Sequence, residues 1–511
     1  MKPIFGRFFS GCLAAGLLAG CQPGAVSLPF KLITTSCVSP APLDGVTHLE
    51  FIVTGPGMQP VSTVATVNIH NAQLPDVPPG PLRRLEARGY SGDPRSLTSP
   101  GRILSLGRSH PFTVASSPPP GAPPAPVQVV LRRVNTLVPV GNGASCQSME
   151  SPRAAHSASL LPDGRVFVAG GFTLGANRVR RTLKSTELFD PIQGTFTPAT
   201  DLGGPVPGGR AFHSSTLLPA GPLFIAGGES TVGGSTTILQ DGLLIDPVLN
   251  TAFVVALVGA RSHHGAAAAG DGGILLVGGL GDNGAMASSV EAYTPGAAVT
   301  QPTGDKLALQ EMAVATGPDG ASVVVAGGFN GQATVSDITL FSYDATGFHR
   351  TATSALAQAR RLAAIAGYPA GTVTVFGGYP DPAGGQSAPL ANSEIIAGGP
   401  GGLSVSNGPA LTPRAQLCAV SLSAGQVFTA GGISNSAGST STVTATELFT
   451  LSPAGLITVL GMPPLPGGGR YLHTCTMLED GSALILGGED STTSPPQVLQ
   501  DALVFMPPPL N

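Results

Sequence analysis

Four histidines each stand three residues after an arginine: Arg153/His156 (RAAH), Arg210/His213 (RAFH), Arg261/His264 (RSHH) and Arg470/His473 (RYLH). Imidazole is a common metal ligand and proton carrier, so four copies at one register could converge on an ion or supply a base. Two observations weigh against that chemistry. A register shared by every copy is what a repeated scaffold maintains, and no carboxylate stands at a ligand-like offset such as HxxE. The histidines therefore read first as structural hydrogen-bonding groups, and no catalytic residue, metal ligand or cofactor is expected from them.

The elements that position these residues recur through most of the chain. A short apolar run ends in a glycine pair seven times, at Gly170/Gly171, Gly227/Gly228, Gly278/Gly279, Gly327/Gly328, Gly377/Gly378, Gly431/Gly432 and Gly487/Gly488, spaced by 49 to 57 residues. A near-constant period of this size marks a repeat architecture. An arginine precedes six of the seven pairs by 17 residues; Arg360 and Arg414 lack the histidine, and the fourth unit (LALQEMAVATGPDG) lacks the arginine. Between arginine and glycine pair lies a turn signal, Asp163-Gly164, Ala220-Gly221, Asp271-Gly272, Asp319-Gly320, Ala370-Gly371, Ala424-Gly425 or Asp480-Gly481. Asp-Gly between apolar runs predicts a hairpin, because both residues tolerate the positive φ of tight turns. An acidic residue then leads a third apolar run: Glu187, Asp241, Glu291, Asp337, Glu394, Glu447 and Asp501. A weaker fourth run carries Phe196, Phe253, Phe348 or Ile457. The arginines Arg153, Arg210, Arg261, Arg360, Arg414 and Arg470 and these acids read as ion pairs between neighbouring units, since buried charges need partners.

Four antiparallel strands in about 50 residues cannot bury both faces alone, and radial stacking of such sheets solves that problem. RxxH, a turn, an apolar run into Gly-Gly, an acid, a third run and an aromatic fourth strand together resemble the kelch motif, over about 370 of the 511 residues. The strand-four tryptophan of that motif is replaced here by Phe or aliphatic residues. The resemblance implies a seven-bladed propeller. The last unit stops at Asn511 with no room for a fourth strand, so Asn135 to Val140 (NTLVPV) is expected to complete it and hide the sheet edges.

Propellers of this kind usually bind through variable loops after strand two and before strand one. The residues there are Phe172, Asn177, Arg178, Arg180 and Arg181 in the first unit and Glu229 in the second. Later units place Asp282, Asn283, Phe329, Asn330, Tyr379, Glu489 and Asp490 on the same rim. These point to a binding or scaffolding protein, not an enzyme, that engages a protein or a carbohydrate and is monomeric. The alternative is a galactose-oxidase-like or glycan-acting enzyme. Galactose-oxidase-like propellers use copper with tyrosine and histidine ligands, whereas Tyr90, Tyr293, Tyr343, Tyr368, Tyr379 and Tyr471 form no such constellation and tryptophan is absent. No phosphate-cradling GxGxxG or GxxxxGK[ST], and no GxSxG elbow between strand and helix, accompanies the glycine pairs.

Composition agrees with β-structure: 71 Gly and 49 Pro punctuate short apolar runs, and no long 3.6-residue periodicity is visible. Only 11% of residues are charged and the net charge is -4, which gives no electrostatic basis for nucleic-acid binding. Residues 1–20 read as a signal peptide: Lys2 and Arg7, an apolar run from Gly11 to Leu18, then LLAGC. That ending resembles the lipobox of bacterial lipoproteins, which implies lipidation of Cys21, contact with a membrane through the anchor only, and a place in the cell envelope, with Gln22 favouring the outer membrane. Of the other cysteines, Cys37 and Cys146 are the preferred disulfide. Cys418 and Cys475 fall in neighbouring units one position out of register and read at least as well as small buried apolar residues. Residues 21–36 read as a tether. Residues 37–134 carry strand-like pieces at Thr47–Thr54, Ser62–His70, Leu82–Gly89, Pro111–Ser116 and Val127–Val134, which suggests a small immunoglobulin-like β-sandwich. Residues 135–511 form the propeller. The expected fold class is all-β.

Overall fold

The computed structural model describes residues 28–67, 74, 76–116, 125–175, 177–199, 201–202, 209–270, 272–368, 371–381, 387–423, 425–436, 439–492 and 496–510. Cys21 and the leader lie outside them, as do Asp271, Ala370 and Ala424 of the turn series. The described elements are strands, apart from one 3-10 turn at Asp282–Gly284, and no helix is long and apolar enough to cross a membrane.

In the first repeat unit Ser157–Leu160 pairs with Val166–Ala169 across the Asp163-Gly164 turn, and Val166–Ala169 pairs in turn with Thr186–Asp190, which pairs with Thr195–Ala199. Six further four-stranded antiparallel sheets repeat this order, their first strands starting at Ser214, Gly265, Ala313, Ala364, Cys418 and Thr474. The seventh takes its fourth strand from far upstream: Leu137–Pro139 pairs with Ala502–Phe505, with Phe505 opposite Leu137 and Leu503 opposite Pro139.

Strand two of the first unit, Val166–Ala169, is apolar throughout because both its faces are covered. Val166 and Val168 pack with Leu484 and Leu486 of the seventh unit, whereas Phe167 and Ala169 pack with Leu223 and Ile225 of the second. Side chains alternate across a strand, so one strand serves two cores. The same sharing links units two to three, three to four, four to five, five to six and six to seven. The chain of sheets thus returns on itself through the core between units seven and one.

A second ring of contacts lies at the end of the sheets where strand one begins. The residue before each RxxH histidine, or before its counterpart, has positive φ: Ala155, Phe212, His263, Glu311, Leu362, Gln416 and Leu472, at +50° to +60°. Five of the seven successive pairs bond to each other: Phe212 N–H donates to Ala155 O (3.1 Å), His263 to Phe212 O (3.1 Å), Leu362 to Glu311 O (2.8 Å), Gln416 to Leu362 O (2.8 Å) and Ala155 to Leu472 O (2.9 Å). The glycine pairs end strand two against this ring. A Cβ on Gly171 would lie 2.8 Å from both Ala154 O and His156 Cβ, and φ there is +90°, so the close approach requires glycine.

Ahead of the repeats, His48–Thr54 lies between Val61–Thr66 and Gly80–Tyr90, and the sheet continues through Ile103–Arg108 to Arg132–Arg133. Leu49, Phe51 and Val53 are fully buried while their neighbours are partly exposed, the alternation of a sheet with one covered face. Two expectations change here. Part of the expected tether is ordered, because Phe30–Ile33 pairs in parallel with Val127–Val130 and Phe30 packs on Phe51 at 4.6 Å between ring centroids. Ile103–Arg108 adds a strand to those expected, pairing with Gly80–Tyr90. Cys37 and Cys146 are joined by a disulfide, and so are Cys418 and Cys475. The first domain docks on the Asp480-Gly481 turn of the seventh unit, where Arg132 Nε lies 2.8 Å from Asp480 Oδ2 and His110 Nδ1 lies 2.6 Å from Glu479 Oε2.

Candidate functional site

The arginines of the repeat do not bridge units as expected. Each pairs with the acid of its own strand three: Arg153 with Glu187 (2.5 Å), Arg210 with Asp241 (3.0 Å), Arg360 with Glu394 (2.5 Å), Arg414 with Glu447 (2.6 Å), Arg470 with Asp501 (2.8 Å), and Arg261 with Glu291. The reason is geometric, since in five of the six the guanidinium also binds the carbonyl of its own first pair glycine, as Arg153 does at Gly170 O (2.8 Å). The histidines are what cross between units. His213 Nε2 meets Ser157 Oγ at 3.0 Å, His264 Nε2 meets Ser214 Oγ at 2.9 Å, and His156 Nε2 meets Thr474 Oγ1 at 3.0 Å, each partner lying in the preceding unit of the ring. Burial, with a smaller contribution from Arg210, pushes His213 down to about 3, and burial with the charge of Arg470 does the same to His473. Burial thus keeps these two rings neutral.

The face carrying the positive-φ ring is walled on one side by hairpins that extend beyond the glycine pairs. Phe172–Leu174 pairs with Arg180–Thr182, Glu229–Val232 with Ser235–Ile238, Ile433–Ser436 with Ser439–Thr442, and Glu489–Asp490 with Gln497–Val498. They form one continuous wall. Thr231 N–H donates to Thr182 Oγ1 (2.9 Å), Arg180 meets Glu489 (3.4 Å), and Thr442 Oγ1 donates to Asp490 Oδ1 (2.7 Å). In the third and fourth units the same stretch closes through single bridges, Leu280 to Met286 and Phe329 to Thr334.

Inside the wall, residues from four units converge. Phe212 stacks on His263 (4.0 Å between centroids) and on Phe172 (5.8 Å), and the Arg180 guanidinium sits 4.3 Å above the Phe172 ring. Arg180 also faces Glu489, whose Oε1 accepts the Tyr471 hydroxyl at 2.8 Å. Burial raises the Tyr471 hydroxyl, and the hydrogen bond to Glu489 adds to it. Burial also raises Glu229, against the pull of Arg180, and lowers His263 to about 4, helped by the same guanidinium. The arrangement offers an aromatic floor, a cation, a phenol donor and two carboxylates in unlike surroundings.

Of the residues expected on the rim, Phe172, Arg180, Glu229 and Glu489 belong to this cluster. The others have different places. Asn177 and Arg178 form the exposed tip of the first hairpin. Arg181 points to the far side of its strand, into a cleft of about 420 Å³ with Ser151, Lys184 and Gly233. Asp490 is consumed by Thr442 and Thr492, and Asn330 by its own turn. Asp282 and Asn283 lie in the 3-10 turn. Phe329 and buried Tyr379 accompany Arg361, which is paired with Glu311 of the neighbouring fourth unit. Phe212, His263, Tyr471, Glu311 and Arg361 were missed. For Phe212, His263 and Glu311 the readable signal was the position before each histidine or its counterpart, which changes identity from unit to unit while its backbone does not.

The copper set implied by galactose-oxidase-like propellers does not fit. Tyr293 is fully buried against Phe224, Tyr90 lies in the first domain bonded to Glu50, Tyr471 is held by Glu489, and His156, His213 and His264 spend Nε2 on hydroxyls.

No protein-family model matches the chain and no curated protein does. Among solved structures the chain is similar to a fungal alcohol oxidase of the AA5 family in complex with copper, at 16% identity and TM-score 0.54, over 70% of this chain and 75% of that one. It is also similar to YjhT, at 12% identity and TM-score 0.44, over 70% of this chain and 96% of that one. The expectation of a non-enzyme is corrected by these findings: the fold is one that carries an oxidase, and Cys418, His473 and Cys475 bring metal-ligand atoms within 4.8 Å of one another. At such identities the likeness establishes the fold alone, an all-β, propeller-like architecture.

Proposed function

We propose that the chain is a seven-bladed kelch-type propeller, carried on a β-sandwich of immunoglobulin-like kind, whose hairpin-walled mouth binds a glycan and acts on it by proton transfer. One observation carries this reading: Phe172, Arg180, Phe212, Glu229, Tyr471 and Glu489 converge from three non-adjacent stretches of sequence. The half-buried Phe212 ring suits the apolar face of a sugar, and the Arg180 guanidinium supplies donors to its oxygens. Two carboxylates in unlike surroundings divide acid and base work. Glu229, held protonated to higher pH by burial, is the proton donor. Glu489, beside Arg180, is the acceptor.

The test combines a glycan array with assays on chromogenic glycosides. R180A is expected to lose binding, whereas E229Q keeps binding and loses turnover. A wild-type protein that retains no glycan, or an R180A variant that binds as well as wild type, defeats the reading.

We also infer export and anchoring through Cys21. The leader sequence supports this, and the two disulfides suit an oxidising compartment. Expressed with its leader, C21A should move from the membrane to the soluble fraction; an unchanged distribution refutes the anchor.

A further inference from the structure

The histidine ring has one irregular link. In three units Nε2 reaches the residue that follows the motif histidine in the preceding unit, and that residue is a hydroxyl: Ser157, Ser214 or Thr474. For His473 the corresponding residue is Cys418. No hydroxyl meets this ring; its Nε2 lies 3.2 Å from Ala430 O, on the strand residue directly opposite Cys418. The seventh unit adds Cys475 two residues beyond the histidine, and its sulfur is bonded to that of Cys418. Ligand atoms of Cys418, Cys475 and His473 lie within 4.8 Å of one another. His473 Nδ1 is buried with no hydrogen-bond partner, as are those of His156, His213 and His264, so the tautomer is set by what meets Nε2. Nε2 can then present either a proton to Ala430 O or a lone pair to a cation.

We propose that the Cys418–Cys475 disulfide is the oxidised form of a Cys2His site for a thiophilic d10 cation such as Zn2+. A dithiol reductant transfers two electrons to the disulfide, giving two cysteine thiols and the cyclic disulfide of the reductant. The cation then displaces two protons, forming two metal–sulfur bonds and one metal–nitrogen bond to His473, with water at a fourth position. Two thiolates neutralise a dication, so the half-buried site gains no net charge. Borderline-soft cations favour this donor set over harder ones. The backbone needs little movement, because both cysteines already lie on adjacent inner strands, Cys418–Leu422 and Thr474–Met477, with Cα atoms 5.8 Å apart.

The test uses the full chain, reduced with dithiothreitol, desalted without oxygen and titrated with Co2+ and then Zn2+. The expected result is one equivalent of Co2+ with thiolate-to-cobalt charge-transfer absorption in the near ultraviolet, bleached by Zn2+, and no absorption for the oxidised protein. C475S and C418S should both abolish the band, and C418S is expected to fold because serine restores the hydroxyl used in the other units. C37S controls for thiols released from the first domain and should keep the band. Reduced protein that takes up no Co2+, reduction that unfolds the chain by circular dichroism, or a band that survives C475S and disappears in C37S overturns the proposal.

Discussion

Replacing Glu187 by glutamine removes one charge from a pair that solvent does not reach, since Arg153 is 0% and Glu187 1% exposed. The carboxylate accepts Arg153 Nη2 at 2.5 Å and the Glu150 N–H at 2.8 Å. Glutamine keeps one acceptor oxygen and turns an amide donor toward groups that are themselves donors. Breaking one partner of a buried pair costs about 3–5 kcal/mol. Two unit charges 4 Å apart at an effective dielectric of 20 attract by roughly 4 kcal/mol, which agrees. At roughly 2–4 °C per kcal/mol for a large domain, E187Q should melt about 8–16 °C below wild type. The fourth unit contains its own control. Leu309 occupies the arginine position there, its carbonyl accepting Gly279 N–H as Arg210 O accepts Gly171 N–H, and Asp337 is exposed. Apolar residues replacing both members of a buried pair are often neutral or stabilising. The double variant R153L/E187L should therefore recover most of the loss, measured by thermal and urea unfolding of both variants beside each single one. An E187Q protein melting within about 2 °C of wild type, or a double variant worse than the sum of its singles, would refute the reasoning.

Removing Leu137–Pro139 exposes the Ala502–Phe505 edge and uncovers apolar side chains of the seventh unit. A large fall in melting temperature is expected, and an unchanged curve would show that the ring does not depend on this strand. Acid should destabilise the fold below the ordinary histidine range. His213 titrates near 3 when folded against 6.5 unfolded, so the unfolded chain binds more protons between those values. Stability is then full above about 6.5 and falls by up to about 1.4 kcal/mol per pH unit toward 3, and H213Q should flatten the urea-midpoint profile in that window. F212A removes the ring stacked between Phe172 and His263 and should weaken glycan retention without changing the melting curve by more than a few degrees. Retention equal to wild type would move the site away from the mouth.

The scaffold was legible because its landmarks are repeated. Gly170/Gly171, the Asp163-Gly164 turn and Arg153 each recur near a fixed offset, so one unit explains the others. What escaped lacks local or repeated signal. Phe30–Ile33 finds its partner at Val127–Val130, and a parallel pairing between distant stretches leaves no turn between them to read. Pairing Arg153 with Glu187 inside one unit follows from where the guanidinium is held by Gly170 O, which spacing alone does not reveal. The mouth was only half visible. Phe172, Arg180, Glu229 and Glu489 stand in the variable loops, but Phe212 and His263 sit inside the arginine–histidine motif, where regularity suggested a purely structural role.

Seven positions around the mouth share a backbone conformation that disfavours branching at Cβ. The residues there are Ala, Phe, His, Glu, Leu, Gln and Leu, with no Val, Ile or Thr among them. Their amides and carbonyls build the ring, so their side chains are left to vary. The opening is in effect a seven-slot palette: chemistry can be exchanged slot by slot among side chains unbranched at Cβ while the frame that presents them stays the same.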